Sequence, residues 1–151
     1  MLKTTSYTLK LILLTAALFV FTSATTPGNG LAEDVLKYTN DYRRAKGLIE
    51  LVMRDDLNTI ARKHSEDMAS GRSSFGHGGY DKRVAKVKKI FMTCTVAENV
   101  AYGARNAKEV FTIWKNSSGH RKNMLGKYKY IGIGTAKSKG GIIYYTQIFV
   151  N

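Results

Sequence analysis

The chain of 151 residues holds one cysteine, one proline and one tryptophan, and its 24 lysines and arginines face only 11 acids. A single cysteine excludes an internal disulfide framework and any zinc site built from several thiolates. Internal repeats and low-complexity tracts are missing. So are a glycine-rich phosphate loop and the G-x-S-x-G elbow of the common serine hydrolases. No apolar run is long enough for a comfortable membrane span, which needs roughly 20 residues. What is present is a 44% hydrophobic share with 11% aromatics. That composition argues for a packed core and against a disordered basic tail. The length fits one domain. The formal net charge of +13 points to contact with something anionic without saying what.

Met1 to Lys10 carries Lys3 and Lys10 and no acid, and Leu11 to Ala24 is mostly apolar. A basic start, a short apolar run and a small-residue exit at Ser23-Ala24 read as a secretory signal peptide over residues 1–24. An uncleaved N-terminal anchor is the alternative. No cysteine follows the run, which speaks against a lipoprotein anchor. Residues 25–30 form a turn-rich lead-in and residues 31–151 the domain. Losing 1–24 removes only two lysines, so the basicity belongs to the domain. An exported protein meets an oxidising compartment, where Cys94 has no partner in its own chain. Burial as a small apolar residue is the expected fate of Cys94, with contact to another molecule as the alternative.

Leu31, Val35, Tyr38, Tyr42 and Ala45 recur at steps of four and three, the apolar face of a helix ended by Gly47. Asp55 or Asp56 can cap a second helix running to about Ser70, with Leu57, Ile60, Ala61, His64 and Met68 on its apolar face. A weaker helix covers Asp81 to Phe91. Asn106 followed by Glu109 resembles a capping box and opens a helix through Trp114 to Ser117. A short turn or helix follows from Ser118 to Leu125. Tyr130 to Ala136 and Ile142 to Val150 read as strands, with Ser138 to Gly141 as the turn between them. Helices first and an antiparallel hairpin last predict an α+β fold class.

The three histidines differ. His64 lies in an apolar stripe and reads as a core residue with one hydrogen-bond partner. His77 is flanked by glycines in Phe75-Gly76-His77-Gly78-Gly79, where backbone and ligand can approach closely; an exposed loop residue is the bland alternative. His120 falls in the first turn of a helix that Ser118 can cap, and the amides there favour a neutral imidazole. Glu98 stands alone between Asp81 and Glu109 among small and apolar neighbours, where a carboxylate needs a partner. It either caps a turn or works beside His77 or His120. Two imidazoles and one carboxylate can hold a divalent metal such as zinc, with His77 and His120 as ligands and one position open. They can equally hydrogen-bond around water. Ser117 and Ser118 lie too close to His120 in sequence for a nucleophile–base pair, and Cys94 lacks a local signature for a thiol nucleophile.

Lys82, Arg83, Lys86 and Lys89 fall at helical spacing opposite Val84, Val87 and Phe91. Arg121, Lys122, Lys127, Lys129, Lys137 and Lys139 form an acid-free run. Each set reads as a solvated face, or as a means of attaching to anionic polysaccharide or a membrane surface. Aromatic residues are not interleaved as on a nucleic-acid stacking surface, so no nucleic acid is expected.

Several segments together resemble a known pattern. They are Tyr42-Arg43-Arg44, Leu57 to Ala61, His64 to Ala69, Phe75-Gly76-His77, Ala97 to Gly103, Trp114 to Leu125, Ile131 to Gly134 and Tyr144 to Phe149. The chain over about 31–151 resembles the CAP superfamily, also called the SCP domain. Within it, the short disulfide-free branch of bacteria and some protists is the nearest match. The resemblance implies an α-β-α sandwich with a small antiparallel sheet, secretion, and a cleft lined by histidines and acids. His77 matches the first family histidine and Glu98 the acid of the Glu-Asn-Val segment. The second family acid falls on Ser117 and the second family histidine on Tyr144, so the full tetrad is absent. Gly119-His120-Arg121 matches the short branch, which places His120 at the same cleft.

The expected cleft therefore comprises His77, Glu98, Ser117, His120 and Tyr144. The expected function is a secreted, monomeric, non-enzymatic binding or signalling module, whose ligand the resemblance suggests is a lipid, a sterol or a protein. A metal-dependent hydrolase, with Glu98 as candidate general base, is the alternative. A basic module attaching to anionic polysaccharide or lipid is the third possibility.

Overall fold

The computed structural model describes residues 29–151. The signal peptide expected over 1–24 lies outside these residues, as does most of the lead-in. The element order is α1 (Asn29–Arg44), β1 (Val52–Met53), α2 (Asp55–Ala69), α3 (Tyr80–Phe91), β2 (Val96–Tyr102), α4 (Ala107–Asn116), α5 (Ser118–Met124), β3 (Tyr130–Lys137) and β4 (Ile143–Val150). The helices expected from periodicity are all present. Glu109 N–H donates to the Asn106 side chain at 2.9 Å, one half of a capping box, while the Glu109 carboxylate accepts from the Arg105 amide at 2.9 Å rather than from that of Asn106. The cap of α2 differs: Arg54 occupies the N-cap, and Asp56 instead accepts from the Leu57 amide and pairs with Arg54.

The strands form one sheet in the order β1-β3-β4-β2. It is antiparallel over β3, β4 and β2, but the two-residue β1 pairs parallel with β3, so the small sheet is mixed rather than antiparallel. β1 is too short to show a period, and β2 reads as Val-Ala-Glu-Asn-Val-Ala-Tyr without clean alternation. Neither is expected as a strand from the sequence pattern. β2 pairs along its full length with β4, from Val96 opposite Val150 to Tyr102 opposite Tyr144.

Successive side chains alternate between the two faces of a strand, and the two faces bury separate cores. On one face Ile131, Ile133, Tyr145 and Phe149 meet Val35 of α1, Val110 and Trp114 of α4, and Met124 of α5. On the other, Ile148 and Val150 meet Leu57 and Ala61 of α2 and Val87 of α3, with Cys94 partly buried beside them. The result is an α-β-α sandwich. Gly132 and Gly134 let α2 lie directly on β3: a Cβ at Gly134 would stand 2.0 Å from the Arg62 nitrogen. Ser65 closes this contact by donating to the Gly134 carbonyl at 2.9 Å and pairing with Thr146 at 2.8 Å.

Candidate functional site

β2 is an edge strand, and its outward carbonyls would be unpaired without help. Side chains from three helices cover them in turn. The Tyr80 hydroxyl donates to Val96 O at 2.7 Å, Asn123 Nδ2 to Glu98 O at 3.1 Å, and Trp114 Nε1 to Val100 O at 3.2 Å. Asn123 also donates to Asn99 Oδ1, and Asn99 donates to Gln147 Oε1 and to the His120 carbonyl. Gln147 in turn reaches Thr39 of α1. A buried polar chain thus crosses the core and fixes α5 against β2 at Glu98.

The Glu98 side chain is 1% exposed. Arg83 of α3 grips it in a fork, Nε to Oε2 at 2.6 Å and Nη2 to Oε1 at 2.7 Å. His77 approaches Oε1 with Nδ1 at 2.9 Å. An ionised carboxylate only accepts hydrogen bonds, so His77 Nδ1 carries the proton and Nε2 is the nitrogen left to a ligand. The His77 side chain is 53% exposed. It stands at the mouth of a cleft of about 300 Å³, together with Tyr80, Val96, Ala97, Glu98 and Asn123.

Arg83 corrects the expectation that it belongs to a solvated basic face: it is buried. Besides Glu98, its Nη1 donates to Gly78 O at 2.8 Å and meets His64 Nδ1 at 3.2 Å. A guanidinium has no acceptor, so His64 Nδ1 is bare and its Nε2–H donates to Gly76 O at 2.9 Å. His64 is the expected core histidine, but with two partners, and it sits behind the site. The spacing of Lys82, Arg83, Lys86 and Lys89 could not separate Arg83 from the lysines. The acid-poor run around Glu98 was the available hint that some cation must turn inward.

His120 lies in α5 and, unlike the expectation from sequence, is not among the residues that line the His77 cleft. Its Nδ1 is buried with no hydrogen-bond partner. The expected Ser118 cap is not made. Ser117 occupies the N-cap position, without a side-chain bond, and α5 begins at Ser118. Ser117 does not line the His77 cleft. Tyr144 stacks on Tyr102 at 5.6 Å and lines a separate cavity beside Ser70 and Lys137. Among the described residues no three His, Cys, Asp or Glu side chains stand together as ion ligands. Glu98 has both oxygens engaged, so His77, Glu98 and His120 do not fit the open three-ligand zinc site considered from sequence.

Burial, then the Arg83 cation, holds His64 below the ordinary imidazole range. Burial, then His77, does the same to His120. Both therefore protonate in the unfolded chain, near pH ~6.5, before they do in the fold. The contribution of these two histidines to stability is fully present above that pH and declines as pH falls through it. The thermal midpoint is expected to be lower at about pH 5.5 than at about pH 7.5, and His64→Gln to reduce the difference. Carboxylates titrate below this window. An unchanged pH slope in the variant would show that His64 titrates alike in both states.

A family model for CAP, the cysteine-rich secretory protein family, matches residues 36–149. The chain belongs to the CAP family. Two curated relatives come from Bacillus subtilis (strain 168). The uncharacterized protein YkwD is 34% identical over 133 residues, which is 85% of this chain and 50% of YkwD. The uncharacterized membrane protein YlbC is 31% identical over 124 residues, 78% of this chain and 34% of YlbC. The chain thus spans half or less of these relatives. Among solved structures, a cysteine-rich secretory protein of Staphylococcus aureus matches with TM-score 0.66 and 28% identity, over 82% of this chain and 39% of that one. An extracellular SCP-domain protein of Bacillus anthracis gives TM-score 0.69 at 24% identity, over 86% and 45% of the two chains. An outer surface protein of Borrelia burgdorferi gives TM-score 0.68 at 18% identity, over 81% and 92%. The last two establish the CAP fold alone. Among the described residues no helix is long and apolar enough to cross a membrane.

Proposed function

We propose that this CAP domain is an exported, monomeric, non-enzymatic binding module that recognises its ligand at the His77 cleft. The observation that carries this is the state of Glu98. Its oxygens are engaged by Arg83 and His77 at 1% exposure. A general base or metal ligand at this position would have to break a buried ion pair, which costs several kcal/mol. Glu98 instead orients His77 and presents Nε2 as an acceptor. The hydroxyl of a lipid or sterol, or a hydroxyl or amide of a protein partner, would donate to it. Export is supported by the pattern of residues 1–24 and by the extracellular or outer-surface description of two structural neighbours.

The competing reading is a metal-dependent hydrolase holding its ion on His77 and His120. Metal content of the purified protein, wild type against His77→Ala, separates the two. No stoichiometric metal is expected in either. One equivalent in the wild type that disappears in His77→Ala would overturn the binding-module reading.

A further inference from the structure

We propose that the recess between α2 and α3 is an anion site that takes one phosphate or sulfate group of an acidic polysaccharide. The recess measures about 390 Å³, and Lys63, Arg72, Ser73, Lys82 and Lys86 line it around His64 and Asp67. It shares neither His77 nor Glu98 with the cleft, and Arg83 forms the wall between them.

The charge of this recess is unbalanced. Asp67 is its one acid, and Oδ1 of Asp67 accepts from both Lys63 at 2.6 Å and Arg72 at 2.7 Å. Arg83 is taken by Glu98. Lys82 and Lys86 make no ion pair among the described residues, although they stand one turn apart on α3, where like charges repel. An anion between them would relieve that repulsion. Ser73 Oγ, on the same wall, is buried with no hydrogen-bond partner, and such a hydroxyl calls for an acceptor. A tetrahedral oxyanion has enough oxygens to meet the Lys82 and Lys86 ammonium groups together, with the Arg72 guanidinium at the edge, and Ser73 Oγ would join them only by turning outward from its buried position. The volume also leaves room for the sugar that carries it.

Two observations favour a polymer over a membrane surface. Ile60 is the one large apolar side chain lining the recess, whereas membrane docking combines basic residues with an apolar face. Arg72 also lines the neighbouring cavity of about 770 Å³, with Lys137, Lys139, Tyr144 and one acid, Glu66, which pairs with Arg62. Arg72 thus lines both recesses, a layout suited to repeated charges on one chain.

The test uses the whole protein, labelled with ¹⁵N. Sodium phosphate and sodium sulfate, against sodium chloride at equal ionic strength, are expected to shift the amides of Ser73, Gly78, Gly79 and Lys82 saturably. Heparin, as a sulfated polysaccharide, is expected to bind, and Lys82→Glu/Lys86→Glu to lose about tenfold in affinity at low salt. Both lysines are exposed, so folding is not at risk. Lys122→Glu/Lys127→Glu makes the same charge change on exposed residues elsewhere and is expected to lose much less. Equal losses in the two variants, or no amide shift at the recess, would overturn the site. Tighter binding to phosphatidylglycerol vesicles than to heparin in the same buffer would overturn the polysaccharide assignment.

Discussion

Glu98→Ala is expected to destabilise the protein by about 3–5 kcal/mol, the range for removing one partner of a buried ion pair. The Arg83 side chain is 11% exposed and would be left with Gly78 O, His77 O and His64 Nδ1, none of which neutralises a cation. The same truncation removes the acceptor of His77 Nδ1 and so releases the imidazole at the cleft mouth. Urea unfolding at constant m-value measures the loss. Arg83→Met in the Glu98→Ala background is expected to restore part of it, because replacing both charges with apolar atoms removes the desolvation cost. A loss below about 1 kcal/mol in the single variant would mean that water reaches Arg83 and the pair is worth no more than a surface one.

The double variant also separates stability from site geometry. If Glu98 serves mainly to hold Arg83, the rescued protein regains stability while His77 stays unoriented. The ring nitrogens of His77 would then report exchange between tautomers by NMR, where the wild type is expected to show one with the proton on Nδ1.

Sequence made Glu98 and His77 visible because each was chemically out of place, one acid among small apolar residues and one imidazole among glycines. Arg83 was not out of place. It sits among Lys82, Lys86 and Lys89, and only the neighbours that α3 meets in the fold distinguish it. Tyr144 and Glu98 do share a sheet face, since Tyr144 opposes Tyr102 and Ile148 opposes Glu98. Four residues of strand, roughly 13 Å, separate them, which puts Tyr144 over the other cavity. Helix periodicity was legible because each helix buries one stripe. β2 was not, because its two faces bury different things, Glu98 and Val100 on one and Asn99 and Ala101 on the other, so polar and apolar residues do not alternate. Asn99 and Gln147 are buried polar residues whose mutual bond, at a separation of 48 positions, no local pattern announces.

Arg43→Met is expected to cost about as much as Glu98→Ala, roughly 3–5 kcal/mol, though no acid is involved. Arg43 is 1% exposed. Its guanidinium donates to Ile49 O at 2.9 Å, Met124 O at 2.8 Å, Gly126 O at 2.9 Å and Tyr128 O at 3.3 Å. Burial lowers its pKa from the ordinary value, yet an arginine stays charged. Methionine keeps most of the aliphatic volume but leaves four carbonyls without donors, at about 1–3 kcal/mol for each that water cannot reach. Removing the desolvated cation offsets part of that. Arg43→Lys tests whether shape or charge matters. One ammonium cannot span carbonyls on both sides of the chain, so lysine is expected to fall within about 1 kcal/mol of methionine. Full recovery with lysine would show that the charge alone holds the segment. The consequence for the site is specific. α5 has seven residues, too few for a helix to persist unaided, and Arg43 holds the carbonyl of Met124, its last residue, and two more carbonyls beyond it, at Gly126 and Tyr128. Faster amide exchange in Arg43→Met is expected from Met124 to Tyr128 and back through α5. That would loosen Asn123 from Glu98 O and shift His120 relative to His77, in a variant that touches neither.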